Sequence, residues 1–215
     1  SNPLVLPHGF TGSAAGWGDR PLEALRAADV RPRPVDLPGH GSRAGEADPD
    51  RFRLDSVVRE IASELGEGPT ALLGYSMGGR LALHVALRHP RRVRALVLES
   101  ASPGLATDAE RSARRSADEA LTRRIETEGV EAFVDGWESL PLFASHASLP
   151  AEERAALRRV RLANDAVSLA AALRGLGTGA LPSLWERLEE VDVPVLVLAG
   201  ALDRKFVEIG ERMAD

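Results

Sequence analysis

Between the apolar run Thr70 to Leu73 and the helix-like stretch Gly79 to Leu87, the chain reads Leu72-Leu73-Gly74-Tyr75-Ser76-Met77-Gly78-Gly79-Arg80. A G-x-S-x-G at such a junction is compatible with few folds. Small residues on both sides let a buried strand turn sharply into a helix, leaving the serine hydroxyl exposed at the helix N-terminus. The amide of the next residue, Met77, then points at any oxyanion that forms beside Ser76. The other reading is a serine that only builds a turn. The strand–turn–helix setting favours a reactive Ser76.

Short β-rich apolar runs alternate with amphipathic stretches along the rest of the chain, the mark of a parallel sheet flanked by helices. Leu4-Val5-Leu6 reads as a strand and Leu22 to Ala28 as part of a helix. Val35-Asp36-Leu37 ends a second strand, broken by Pro38 and Gly39. From Phe52 to Leu65 the apolar positions Leu54, Val57, Val58, Ile61 and Leu65 fall on one helical face. Ala95 to Leu98 and Val195 to Leu198 are further strands, and Phe206 to Met213 begins a helix. The strands carry apolar residues on both faces, as buried parallel strands do. The predicted class is α/β, with a mostly parallel sheet.

The middle of the chain differs. From about Leu105 to Leu181 the sequence is rich in Arg, Ala and Glu and reads as helical, broken by Gly129, Gly136 and Pro141. This divides the chain into a first core part (1–104), a helical insertion (105–181) and a resumed core (182–215). A helical insertion between strands of such a sheet is placed to cover a site at the strands' C-terminal ends. The other reading is a helical second domain with no gating role.

Composition narrows the function. With 27 basic against 32 acidic residues the net charge is −5, which argues against a general nucleic-acid surface. Cysteine is absent, removing disulfides, thiolate metal sites and cysteine nucleophiles. No apolar run approaches the roughly 18 to 20 residues of a membrane span, and no signal peptide is visible. A reducing cytosol suits this composition, and the expected location is cytoplasmic. The first residue is Ser1, so the N-terminus is expected to be trimmed or left out. Of the basic residues only Lys205 is a lysine, so a lone arginine says little about function.

Three more turns carry candidate chemistry. Pro7-His8-Gly9-Phe10-Thr11-Gly12 follows the first strand. There His8 is either a base or, as the favoured reading, a brace that holds the loop by hydrogen bonds. Asp36-Leu37-Pro38-Gly39-His40-Gly41-Ser42 reads as architecture, its polar groups bonding locally. His84 and His89, on or just after the helix behind Ser76, read as structural. Gly200-Ala201-Leu202-Asp203-Arg204 follows the last strand. Asp203 suits the orienting acid of a Ser…Asp…His order, against the simpler reading of a helix N-cap.

Together these residues resemble a family. The His8–Ser13, Asp36–Gly41 and Gly74–Arg80 motifs resemble many α/β-hydrolases. More selective are Glu99-Ser100-Ala101-Ser102-Pro103-Gly104-Leu105, Trp137 with Pro141-Leu142-Phe143, and Gly177-Thr178-Gly179 with Pro182-Ser183-Leu184-Trp185. With Asp203-Arg204-Lys205-Phe206 they resemble the 2-succinyl-6-hydroxy-2,4-cyclohexadiene-1-carboxylate synthases of menaquinone biosynthesis, across essentially the whole chain. The resemblance implies an α/β-hydrolase fold, a pyruvate-eliminating lyase acting on a polycarboxylate small molecule, and no metal or organic cofactor. It implies Ser76 as base, Asp203 as its orienting acid, and the Phe10 and Met77 amides as the oxyanion hole. Arg80, Arg114 and Arg161 are then substrate-binding residues, because arginine forks match carboxylates bidentately, with Lys205 as a further cation and Tyr75 and Trp137 walling the ring; the other reading of each arginine is a solvated helix face.

Two departures accompany the resemblance. The family pattern has a strand or two before Leu4, and a histidine in a Gly-His turn after the last strand. None of the five histidines here follows Asp203. The sequence reading therefore expects an incomplete chain, with Ser76 and Asp203 facing one cleft and none of those histidines between them. An esterase or C–C bond hydrolase on the same scaffold is the competing reading, and an inactive binding protein a third. Oligomeric state is not specified by the sequence.

Overall fold

Parallel strands cannot be joined by tight hairpins, so each connection must cross over the sheet, and helices serve that purpose here. The structure is a computed structural model that describes residues 2–215. Strand β1 (Asn2–Pro7) leads through α1 (Asp19–Ala27) to β2 (Val30–Val35). Helix α2 (Leu54–Glu64), β3 (Thr70–Tyr75), α3 (Met77–Arg88) and β4 (Val93–Glu99) follow. Three helices then intervene: α4 (Asp108–Glu138), α5 (Ala151–Leu162) and α6 (Ala166–Leu176). The chain rejoins the sheet as β5 (Val195–Leu198) and enters α7 (Arg204–Ala214). The strand order is β2-β1-β3-β4-β5, and every pairing is parallel.

The apolar pattern explains the packing. Val57, Val58 and Ile61 of α2 and Leu81 and Val85 of α3 are buried in one cluster with Val5, Leu72 and Leu96 of the sheet. Removing such side chains from water stabilises by roughly 1.5 to 3 kcal/mol each. A second cluster, Ile125, Phe133, Val134 and Leu169, holds the inserted helices together, and Phe10 packs against both clusters. The first core and the insertion therefore meet at the loop after β1.

Three expectations need correction. The second strand stops at Val35, leaving Asp36 and Leu37 in the turn, where Asp36 bonds loop amides. Gly136 lies inside α4; the break is at Gly129, whose φ of 85° no helix accommodates. Glycine is tolerated in a helix at a cost of about 1 kcal/mol, whereas a positive φ ends it. The apolar faces of β5 are not both buried: Leu196 is 54% exposed. This strand lies at the end of the strand order, and the element that packs on it is α7.

The junction of β3 and α3 is the tightest place in the fold. Ser76 has φ 51° and ψ −110°, a conformation costing on the order of 1–3 kcal/mol in a residue with a side chain. Its amide donates to the Glu99 carbonyl at 2.9 Å, and its carbonyl accepts from the Arg80 amide at 3.1 Å. Gly78 passes so close to β1 that a Cβ there would overlap the Pro7 carbonyl. Gly78→Ala is accordingly expected to destabilise the protein by at least about 2 kcal/mol, from overpacking against rigid backbone. Urea unfolding of the variant with a midpoint equal to that of wild type would contradict this packing.

Candidate active site

In an open parallel sheet the useful crevice lies at the strands' C-terminal ends, where neighbouring strands send their connections in opposite directions. Here β1 sits between β2 and β3, so that point lies between β1 and β3. The loop after β1 and the Ser76 turn after β3 open there onto a cavity of 680 Å³. Phe10, Tyr75, Ser76, Met77, Arg80, Arg114, Trp137, Arg161 and Lys205 all line it. Asp203 does not. Its carboxylate accepts from the Phe206 amide at 3.2 Å and caps α7, two residues from Lys205 on the cavity wall.

The loop after β1 is held from inside. His8 is buried; its Nε2 accepts from the Leu37 amide at 3.1 Å, which leaves Nδ1 to donate to the Gly9 carbonyl at 2.7 Å. Both nitrogens serve the loop, so His8 is the brace and not the base. Burial drops its pKa to about 4. His40 lies against it, ring centroids 5.0 Å apart, with Nδ1 bonded to the Pro38 carbonyl at 2.9 Å. Burial, with His8 alongside, takes His40 to about 3. Asp36 accepts from the Ala14 amide and from the Ser42 amide and hydroxyl. Partial burial opposes its charge, yet those donors hold its carboxyl below the ordinary value. Among the described residues, no hydrogen bond joins a histidine to Ser76 or Asp203.

The cations come from four elements, α3, α4, α5 and α7. Arg80, on α3, is half-buried; its Nε is buried without a partner and its Nη2 reaches only the Leu176 carbonyl at 3.4 Å. Burial, and then Arg114 nearby, lowers its pKa to about 10. Arg114 of α4 commits its Nε to Asp118 at 2.7 Å, leaving its terminal nitrogens. Arg161 of α5 pairs with Glu138 at 2.7 Å and lies over the Phe143 ring at 4.8 Å. Trp137 meets Phe10 edge-on at 5.7 Å, and its buried indole nitrogen has no partner. The Lys205 amine lies 5.7 Å from the Phe206 ring.

The sequence reading assigned no site role to several lining residues, Glu99 and His146 among them. Glu99, at the C-terminal end of β4, faces the cavity, and burial raises its pKa. Its position at a strand end beside Ser76 was the available signal. Tyr75 lies near enough that burial, and then the Glu99 charge, push its phenol upward.

A twisted parallel sheet, a strained serine at a strand-to-helix turn and a braced loop beside it define an α/β hydrolase. The profile described as "Alpha/beta hydrolase family" matches residues 4–215, and the chain belongs to that family. A Klebsiella pneumoniae protein named 2-succinyl-6-hydroxy-2,4-cyclohexadiene-1-carboxylate synthase is 34% identical over 98% of this chain and 81% of its own length. A Bacillus subtilis protein given the same name provisionally is 43% identical over 99% of this chain and 78% of its own length. MenH from S. aureus superimposes with a TM-score of 0.88 at 37% identity, over 99% of this chain and 80% of that one. Within the α/β hydrolases the chain belongs to this synthase family. Among the described residues no helix is long and apolar enough to cross a membrane.

The buried histidines give the fold a pH dependence. His8 and His84 are held at about 4 and His40 at about 3, burial being the main cause in each. Above pH ~6.5 these rings are neutral in both folded and unfolded chains and contribute nothing. Below it the unfolded chain takes up protons that the native state refuses, so stability falls as pH drops from 6.5 toward 4. Each histidine contributes up to about 1.4 kcal/mol per pH unit across that window. Urea unfolding at pH 7.5 and pH 5.0 should show the drop, and His84→Gln should reduce it. Equal stability at both pH values would contradict the assignment.

Proposed function

We propose that the protein eliminates pyruvate from 2-succinyl-5-enolpyruvyl-6-hydroxy-3-cyclohexene-1-carboxylate, giving 2-succinyl-6-hydroxy-2,4-cyclohexadiene-1-carboxylate in the cytoplasm as a step of menaquinone biosynthesis. The observation that carries this reading is the company Ser76 keeps. Arg80, Arg114 and Arg161 line its cavity, although the chain as a whole is acidic. A neutral ester would make no use of those cations beyond the carboxylates that already hold Arg114 and Arg161. A substrate with several carboxylates supplies the anions, and each charge-assisted fork adds orientation as well as affinity. The incomplete hydrogen bonding of Arg80 and the free terminal nitrogens of Arg114 fit that use.

In this reading Ser76 acts as a base rather than a nucleophile. With its own hydroxyl proton passed to the histidine that the family pattern pairs with it, Ser76 takes a proton from a ring carbon, the electron pair moves through the ring to form the second double bond, and the carbon–oxygen bond to the enolpyruvyl group breaks. The enolpyruvate that leaves takes up a proton to become pyruvate. No water is consumed and no acyl-enzyme forms. Negative charge develops on a substrate carbonyl or carboxylate oxygen as the proton departs. The Met77 amide, at the first position of α3, has no intrahelical acceptor and is free to hold that charge. The Phe10 amide is the second donor. Asp203, at the N-cap of α7, is assigned as the acid that orients the histidine of the family pattern. Tyr75 and Trp137 wall the ring, and Lys205 adds a cation at the sheet end.

Ser76→Ala should lower kcat for pyruvate release by about 10² to 10⁴-fold while leaving the unfolding midpoint unchanged, since general-base catalysis is typically worth that much. Near wild-type release from the variant would remove Ser76 from the chemistry. Arg114→Ala and Arg161→Ala should each raise KM about ten- to a hundred-fold, matching roughly 1.5 to 3 kcal/mol for a hydrogen bond to a charged group. Lysine at these positions should rescue poorly because it lacks the planar fork. Unchanged KM and kcat in both alanine variants would reduce these arginines to surface charge.

A further inference from the structure

The loop that presents the Phe10 amide contains a conformational anomaly. Gly12 donates its amide to the Gly9 carbonyl at 3.0 Å, closing a four-residue turn with Phe10 and Thr11 at its centre. Thr11 has φ 67° and is buried. A positive φ at the third residue is the pattern of a type II turn, where glycine or asparagine is the ordinary occupant. Threonine branches at Cβ, which makes it one of the least suited residues for that conformation. Something outside the turn must hold it there.

That group is Asn164, 153 residues away at the end of α5. Its side-chain amide donates to the Thr11 carbonyl at 3.0 Å and to the Arg161 carbonyl at 2.9 Å, with the Val160 carbonyl at 3.4 Å. Three carbonyl acceptors on one side fix the amide with its nitrogen toward Thr11. Asn164 is itself buried and lies outside the cavity lining, so it does not touch substrate. Phe133 and Trp137 also meet the Phe10 ring edge-on, contacts with its side chain rather than hydrogen bonds to the turn's peptides.

We infer that Asn164 is a positioning residue: by tethering the Thr11 carbonyl to α5 it holds the strained turn that aims the Phe10 amide at the oxyanion beside Ser76. Without the tether Thr11 relaxes to negative φ, the Phe10–Thr11 peptide rotates, and the turn that presents the amide changes shape. The inserted helices thereby complete the catalytic site as well as supplying arginines to it. The inference rests on the proposed lyase reading for its substrate, but not for its geometry.

The test is kinetic, in the full-length protein. Asn164→Ala should lower kcat for pyruvate release about ten- to a hundred-fold, a part of what an oxyanion donor is worth, with KM within about threefold. Adding Thr11→Gly, which takes a positive φ without strain, should recover at least about fivefold of that loss. A purely structural role would give no such rescue. Asn164→Asp keeps the shape but presents an acceptor to three carbonyls, and it should show the same kcat loss if the alanine variant fails to fold. Wild-type kcat in either single variant, a loss carried by KM, or no recovery with Thr11→Gly would overturn the assignment. A fluorophosphonate separates the two readings, because Ser76 displaces its fluoride whatever the natural substrate. Slower labelling of Asn164→Ala, in a protein that releases no pyruvate, would uphold the positioning role and reject the substrate. Normal pyruvate release by wild type, with labelling and turnover undiminished in Asn164→Ala, would do the reverse.

Discussion

Backbone meets backbone where β1, β3 and α3 converge, and the site is built outward from that contact. Gly74 and Gly78 approach one another so closely that a Cβ on Gly74 would lie 2.5 Å from the Gly78 carbonyl oxygen. This closeness lets the chain reverse within one residue and places the strain on Ser76. The strain is of order 1–3 kcal/mol, and hydrogen bonds to Glu99 and Arg80 on either side of the serine hold it in place. The same closeness brings the loop after β1 against the start of α3, so that Phe10 and Met77 line one cavity. Had either glycine been larger, the serine would be an ordinary turn residue.

Electrostatics then selects what enters. Burying a guanidinium nitrogen without a partner is costly, and the Nε of half-buried Arg80 is in that position. Arg114 and Arg161 are each tied to a carboxylate that fixes the side chain without using the whole fork. Such a cavity is held ready for anions. Glu99, at the C-terminal end of β4, adds a carboxyl to the same lining. The helices that bring Arg114 and Arg161 are the inserted ones, so in the proposed reading the insertion shapes the chemistry as much as the core does.

The sequence was most legible where rules are local. The glycine spacing around Ser76 and the brace role of His8 follow from what one turn can and cannot do, and the structure has both. The helical character of 105–181 was equally plain, because a long Arg- and Glu-rich stretch has no strand pattern to offer. What escaped was non-local. Nothing near Val195 says that β5 stands at the end of the strand order with its apolar residues exposed, and nothing near Asn164 points to Thr11. Gly136 and Gly129 look alike in sequence, yet only the second adopts a positive φ. Asp203 was weighed as an acid against a cap; its capping bond is present, and a cap can still present a second oxygen.

The central claim is that Ser76 works as a base on an anionic substrate without being acylated. It is tested most directly by giving the full-length protein the enolpyruvyl cyclohexene substrate and following three signals together. These are pyruvate, the absorbance of the conjugated diene, and the intact mass of the protein. The account predicts pyruvate and diene in a one-to-one ratio, with the protein mass unchanged throughout turnover. A mass increase localised to Ser76, or diene that forms without pyruvate, would contradict it.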